Sequence, residues 1–190
     1  MSIPRYVGYR DAEWGCQAVA DIRVGGMVDG ACMTPTGQPW SDEQPLHGRV
    51  LVVTDNPIAR ALIQLAAVLE RPASLLSDAT ALDDLGSARL STSDAVVLCD
   101  HDTPDRDAIL ALLLDGETGY VAMMGSKSRA ATTYAGLARR YGEGTLRRLH
   151  VPAGLNIGGK APGEIALSVM AEIVANSYDR PGGPMRTSCR

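Results

Sequence analysis

From Arg49 onward the apolar residues fall into two alternating arrangements. Short unbroken runs, "RVLVVT" (49–54), "ASLLSD" (73–78), "AVVLCD" (95–100), "GYVAMM" (119–124) and "LHVPAG" (149–154), read as buried strands. Between them lie segments with helical spacing. "PIARALIQLAAVLE" (57–70) repeats Ile58, Leu62, Leu65 and Leu69 and places Pro57 in its first turn. "TPDRDAILALLLDG" (103–116) offers Thr103 as N-cap, Pro104 and acidic residues in the first turn, and Gly116 as stop. A helix over 128–141 turns Ala130, Tyr134, Leu137 and Tyr141 inward, and one over 161–177 turns Ala166, Val169, Met170 and Ile173 inward. Strands alternating with helices across short links predict an α/β fold: a Rossmann-like parallel sheet with helices on both faces. This rhythm delimits a domain over 48–178. Residues 1–47, rich in Gly and Pro, read as an irregular N-terminal arm and linker, and 179–190 as a flexible tail.

At 45% hydrophobic and 21% charged, the chain has material for a core. A net charge of -4 gives no reason to expect nucleic acid or a membrane surface as partner. The charge is uneven, however: over 125–150 Lys127, Arg129, Arg139, Arg140, Arg147 and Arg148 face Glu143 alone. Cys16, Cys32, Cys99 and Cys189 follow no metal or disulfide spacing, which fits a reducing cytoplasm. The first residues lack a signal-peptide core, and no apolar run is long enough to span a bilayer.

Ligands of open parallel sheets bind beyond the carboxyl ends of the strands, which singles out four turns. In "VVTDNPIARAL" (52–62), Thr54, Asn56 and Ala59 stand where a dinucleotide turn has its three glycines. Their Cβ atoms and the charge of Asp55 oppose a pyrophosphate, so a helix cap by Asp55 or Asn56 is the better reading. Asp78 stands where a ribose-binding acid would. In "CDHDTPDRD" (99–107), His101 lies between Asp100 and Asp102. The carboxylates favour its charged form, suiting it to shuttle protons or orient a ligand as well as to a plain structural place. In "VAMMGSKSR" (121–129), Gly125 frees the backbone, Ser126 and Ser128 add hydroxyls, and Lys127 and Arg129 add charge at a helix N-terminus. Cations there oppose the helix dipole, so a bound phosphate or carboxylate accounts for them better than a solvated loop does. The arginines at 139 and 140 precede Gly142, where positive charge suits a helix end. In "GLNIGGKAPGE" (154–164), Gly154, Gly158 and Gly159 permit close approach, with Asn156 and Lys160 as polar anchors.

"GYVAMMGSKSRA" followed by "LHVPAGLNIGGKAPGEIALSVMAEIVA" resembles the C-terminal Rossmann domain of XdhC/CoxF-type accessory proteins. Those proteins show a strand ending in GSR-like residues and then a P-x-G-[LI]-[DN]-I-G-x-x-[TS]-P-E-E-I-A run. "DAVVLCDHD" matches the family's strand with a His-containing turn, and the likeness covers about residues 48 to 177. The resemblance implies a non-catalytic chaperone that binds molybdenum cofactor (molybdopterin) and hands it to the apo-enzyme of a molybdenum hydroxylase. The client would be of the xanthine dehydrogenase or CO dehydrogenase type. It carries Gly125, Ser126, Lys127, Arg129, Gly154, Asn156 and Gly158 over as ligand-turn residues, and His101 with them. The chain departs from the family where a GAGHVG-like turn reads TDNPIA, at Asn156, and at Ala161 and Gly163 of the TPEE-like run. "VGGMVDGACM" (24–33) is similar to the GGCVEG-like stretch of the family's N-terminal domain, with Met27 at the cysteine position. The alternatives are an NAD(P)-binding oxidoreductase and a divergent interaction module without a ligand. Self-association into a homodimer is expected if a partner domain is missing.

Overall fold

The unbroken apolar runs are strands, and the central ones are covered on both faces; the run over 73–76, expected to be buried, is an edge strand whose Ser74 and Leu75 are exposed. The computed structural model describes residues 48–100 and 102–184. Its five strands are β1 (Val50–Val53), β2 (Ala73–Leu76), β3 (Ala95–Leu98), β4 (Tyr120–Met123) and β5 (Leu149–His150). All run parallel in one sheet, in the order β2-β1-β3-β4-β5. The helices are α1 (Pro57–Val68), α2 (Ala81–Ser87), α3 (Arg106–Asp115), α4 (Lys127–Leu137), α5 (Glu143–Leu146) and α6 (Pro162–Ser177). The expected arm over 1–47, the end of the tail from 185, and His101 lie outside the described residues. Among those described, no helix is long and apolar enough to cross a membrane.

Every residue of β1, β3 and β4 is buried. Because side chains alternate along a strand, one half of each run feeds each face. Leu51, Val53, Val96, Leu98, Val121 and Met123 join the core beneath α2, α3 and α4. Val50, Val52, Val97, Tyr120 and Ala122 join the core beneath α1 and α6. The inner face expected of α6 is the one found, and Ala130 with half-buried Tyr134, Leu137 and Tyr141 packs α4 onto the sheet.

Three further local readings differ from the structure. In α1 the fully buried stripe is Ala59, Leu62 and Ala66, while Leu69 is 42% exposed. Alanines suit the side of α1 that lies against α6, where a row of leucines would hold the helices apart. In α3 the cap is Asp105, in the left-handed region at φ 55°, and the helix begins at Arg106. Thr103 instead donates its hydroxyl to the Asp100 carbonyl at 2.9 Å, which holds the chain outside the helix for two further residues. The last strand is only two residues long, because Pro152 lacks the N–H that would extend the ladder. Two helices had no sequence signal: α2 buries only Ala81 and Leu85, and α5 buries nothing.

Two charged groups hold the sheet's lower edge. Arg148 donates to the carbonyls of Leu114 (2.6 Å), Gly116 (2.8 Å) and Thr118 (2.8 Å), and so closes the carboxyl end of α3. Buried Asp94 accepts from the Arg49 amide (2.8 Å), the Arg49 guanidinium (2.9 Å) and the Ser91 amide (2.9 Å). Burial pushes this carboxyl up, but the Arg49 guanidinium and the two amides outweigh it and bring its pKa down to about 2. A depressed carboxylate stabilises the fold above its ordinary range, and that stabilisation is lost as pH falls from about 4 to about 2. Asp94→Asn should therefore cost about 2 kcal/mol at neutral pH. Denaturant titrations should show the gap between variant and wild type closing as pH approaches 2.

Candidate functional site

The strand order reverses between β1 and β3, so the sheet's topological crevice lies between the turns that follow them. Thr54 leaves β1 with φ at 77°, a left-handed angle that glycine accepts and a β-branched residue resists. Its hydroxyl donates to Asp78 Oδ1 at 2.6 Å and lies 3.0 Å from the Thr103 hydroxyl. With two hydroxyl protons for three contacts, Thr103 divides its own between the Asp100 carbonyl and Thr54. Asn56 completes the closure. Its Oδ1 accepts from the Ile58 (3.0 Å) and Ala59 (2.9 Å) amides, and its Nδ2 donates to the Cys99 carbonyl at 3.0 Å. The amides that greet a phosphate in a nucleotide turn are thus already engaged. Asp55, paired with Arg60 at 2.7 Å, adds negative charge beside them. Asp78, at the ribose position, is taken by Thr54.

The turn after β4 is built differently. Ser126 is the N-cap of α4; its Oγ accepts from the Arg129 amide at 3.3 Å and lies 3.0 Å from Ser128 Oγ. Lys127 and Ser128 open the helix, and their amides have no acceptor within it. Ser126, Lys127, Ser128 and Arg129 are all exposed. Arg129 meets Asp102 at 3.3 Å, a solvated pairing that screening keeps weak. Gly125 has neither a left-handed angle nor crowding: a Cβ there would meet only Arg129 Cβ, at 3.9 Å. Backbone strain and packing give no reason for a glycine at this position.

The loop after β5 divides its glycines between packing and open space. Gly154, at φ 100°, sits against Ser168 of α6 with no room for a Cβ, and a Cβ on Gly159 would strike Glu164. Glu164 also accepts from the Lys160 (2.9 Å) and Ala161 (3.0 Å) amides, fastening the loop's far end to α6. Gly158, at φ 82°, has nothing within 4 Å of where a Cβ would stand. Asn156, Gly158 and Lys160 are exposed, and the loop runs from the strand beside the one that carries Gly125. The structure therefore places Gly125, Ser126, Lys127, Arg129, Asn156 and Gly158 along one edge, and gives Gly154 and Gly159 a packing role. His101 lies outside the described residues. Its neighbour Asp100 accepts from the Asp102 amide at 2.9 Å.

One cluster carried no sequence signal. Glu172 of α6 accepts from the Tyr120 hydroxyl (2.6 Å) and the Gly154 amide (2.8 Å), and its other oxygen lies 3.3 Å from His150 Nδ1. The His150 ring stacks on Tyr120 at 4.3 Å, and its Nε2 is buried without a partner. Burial pushes the Glu172 carboxyl up, but His150, Tyr120 and the Gly154 amide outweigh it and hold it low. The cluster joins β4, β5, α6 and the start of the loop. Cys99 offers no nucleophile, because burial pushes its thiol up to about 12. Among the described residues, no three His, Cys, Asp or Glu side chains are grouped to hold a metal ion.

These features define a doubly wound α/β domain whose crevice is closed by its own side chains and whose open, cationic turns follow the next two strands. The chain belongs to the XdhC Rossmann-domain family, whose model matches residues 50–173. It is 34% identical over 93 residues to YqeB, an uncharacterized protein of Escherichia coli strain K12. That match takes in 48% of this chain and 17% of YqeB. Its fold is also that of a Bacillus halodurans protein described as a xanthine dehydrogenase, with a TM-score of 0.57 and 23% identity. That superposition covers 70% of this chain and 44% of the other, so this chain spans less than half the length of either relative.

Two measurements check the closed crevice and the buried anchor. Titration with NADH or NADPH should reveal no affinity tighter than about 1 mM. Glu172→Ala removes two hydrogen bonds to a partly buried carboxylate and should cost about 2 kcal/mol. It should also make the 154–160 loop a preferred site of limited proteolysis, since its first residue is no longer tied down.

Proposed function

We propose that this chain is an accessory maturation factor that holds molybdenum cofactor by its phosphate and delivers it to a molybdenum hydroxylase of the xanthine dehydrogenase or CO dehydrogenase type. The observation that carries the reading is the open cationic edge formed by the turns after β4 and β5. The residues there suit a phosphate ester. Gly125 and Gly158 leave space where a Cβ would intrude on a ligand, beside the hydroxyls of Ser126 and Ser128 and the charges of Lys127, Arg129 and Lys160. An anion seated there would offset both the cations and the positive end of α4. Asn156 supplies an amide that can donate and accept beside it.

Exposure of this edge suits a carrier rather than an enzyme. A ligand held by surface hydroxyls and flexible cations binds through a few charge-assisted contacts, and it leaves without any part of the core moving. The metal chemistry itself is what the cofactor supplies to its client enzyme. In this chain Lys127 and Arg129 bind the anion, Ser126 and Ser128 orient it, and the Glu172 anchor keeps the second turn in place. Membership of the XdhC family supports the choice of cofactor and client.

The test uses purified protein and molybdopterin in equilibrium dialysis, followed by transfer to an apo-hydroxylase. Lys127→Ala combined with Arg129→Ala removes two charge-assisted contacts of roughly 1.5–3 kcal/mol each, so affinity should fall at least about a hundredfold. Wild-type protein that binds no molybdopterin, together with an apo-hydroxylase that loads equally well without it, would overturn the reading.

A further inference from the structure

A cavity of about 590 Å³ lies between α3 and α4, on the sheet face opposite α1 and α6. It exists because of what α4 turns toward α3. Helices over neighbouring parallel strands ordinarily pack side by side through apolar ridges. Here the wall presented by α4 is Thr132, Thr133 and Gly136, too short and too polar to close that seam. Only Ala130 of α4 is fully buried. The bed below is apolar, with Ala111, Leu137 and the ring of Tyr141 over the fully buried Met123, while Asp107 adds one carboxylate to the lining. Arginines stand at its rim, each paired with a carboxylate: Arg106 with Asp107 and Arg129 with Asp102 at the carboxyl edge of the sheet, and Arg140 with Asp115 roughly three helical turns further along.

The volume is that of an ordinary small-molecule site, and the mixture of an apolar bed with a few convergent polar groups is the usual chemistry of one. Arg129 belongs both to this cavity and to the cationic turn after β4. A phosphate held at that turn therefore lies at the mouth of the cleft. The topological crevice, where the body of a nucleotide would otherwise go, is filled by the hydrogen bonds of Thr54, Asn56, Asp78 and Thr103.

We propose that the α3/α4 cleft binds the flat heteroaromatic body of a phosphate ester whose phosphate sits at the Ser126–Arg129 turn. This deepens the carrier reading and rests on it for the phosphate position. The ligand lies lengthwise between the helices, ring system over Ala111 and Leu137, with Thr132 and Thr133 beside its polar edge. Gly136 sets the width of the cleft, since any side chain there projects into open space.

The test is Gly136→Leu, whose Cβ meets no atom within 4 Å and which replaces a helix-interior glycine by a strong helix former, so the variant folds. Binding of molybdopterin and of inorganic phosphate is measured by equilibrium dialysis for variant and wild type. Filling the cleft should weaken molybdopterin about tenfold or more while phosphate stays within about twofold. If both ligands weaken alike, or neither weakens, the cleft assignment is overturned and the carrier reading stands. If wild type binds no molybdopterin, the carrier reading fails, and FMN replaces molybdopterin in the same comparison. FMN affinity that falls in Gly136→Leu then upholds the cleft. FMN that does not bind, or binds both proteins equally, overturns it.

Discussion

The central strands of this domain are covered on both faces, and that single constraint decides where polar chemistry can be. Four-residue strands with every side chain in a core leave no position along their length for a ligand. Polar and charged groups are pushed to the strand ends, where the parallel direction collects all five carboxyl termini on one edge. At the opposite edge the same pressure yields purely structural devices. Asp94 is fixed by Arg49 and Ser91, and Arg148 closes the end of α3. Two edges of one sheet thus have different duties because of how the strands run.

Two side chains decide which part of the carboxyl edge is available. Asn56 spends its whole amide inside the protein, capping α1 with its oxygen and bridging to β3 with its nitrogen. Its engagement removes the backbone donors that make a helix start attractive to phosphate. Glu172 acts in the other direction. By holding Tyr120, His150 and Gly154 from beneath, it fixes the root of the loop over 154–160 while leaving the exposed face of that loop free of internal bonds to side chains of the core. The Ser126 cap uses a hydroxyl for only one amide of its helix. Availability on this edge has moved from the switch point to the turns two strands away.

Much of this was legible in the sequence, and the reasons for success and failure are physical. The continuous β-branched runs at 50–53 and 95–98 read as doubly covered strands and are so, whereas the run at 73–76 gave the same pattern and lies at the sheet edge with Leu75 39% exposed. A cap at Asp55 or Asn56 and the stop at Gly116 followed from local chemistry that acts within a few residues, and the structure gives the cap to Asn56. The stripe of α1 was misread because alanine is silent in a hydrophobic pattern yet decisive where a second helix approaches. Thr103 was misplaced as a cap because its hydroxyl has a tertiary use, the carbonyl of Asp100. The Tyr120–His150–Glu172 cluster is assembled from residues up to 52 positions apart, and no spacing rule links them. Gly154, Gly158 and Gly159 look alike in sequence, and only coordinates separate the two that are crowded from the one that is not.

Thr54 has a consequence for how such a domain can change. Its backbone keeps the left-handed angle of a glycine turn, although a β-branched residue in that region costs about 1–2 kcal/mol. The angle survives because hydroxyl bonds to Asp78 and Thr103 and the pairing of β1 with its neighbours over-determine it. The main chain of the first turn therefore has the torsion of a glycine turn with a β-branched side chain on it. Glycine at position 54 would ease that torsion but forfeit both hydroxyl bonds, so the first turn trades backbone comfort for a sealed crevice.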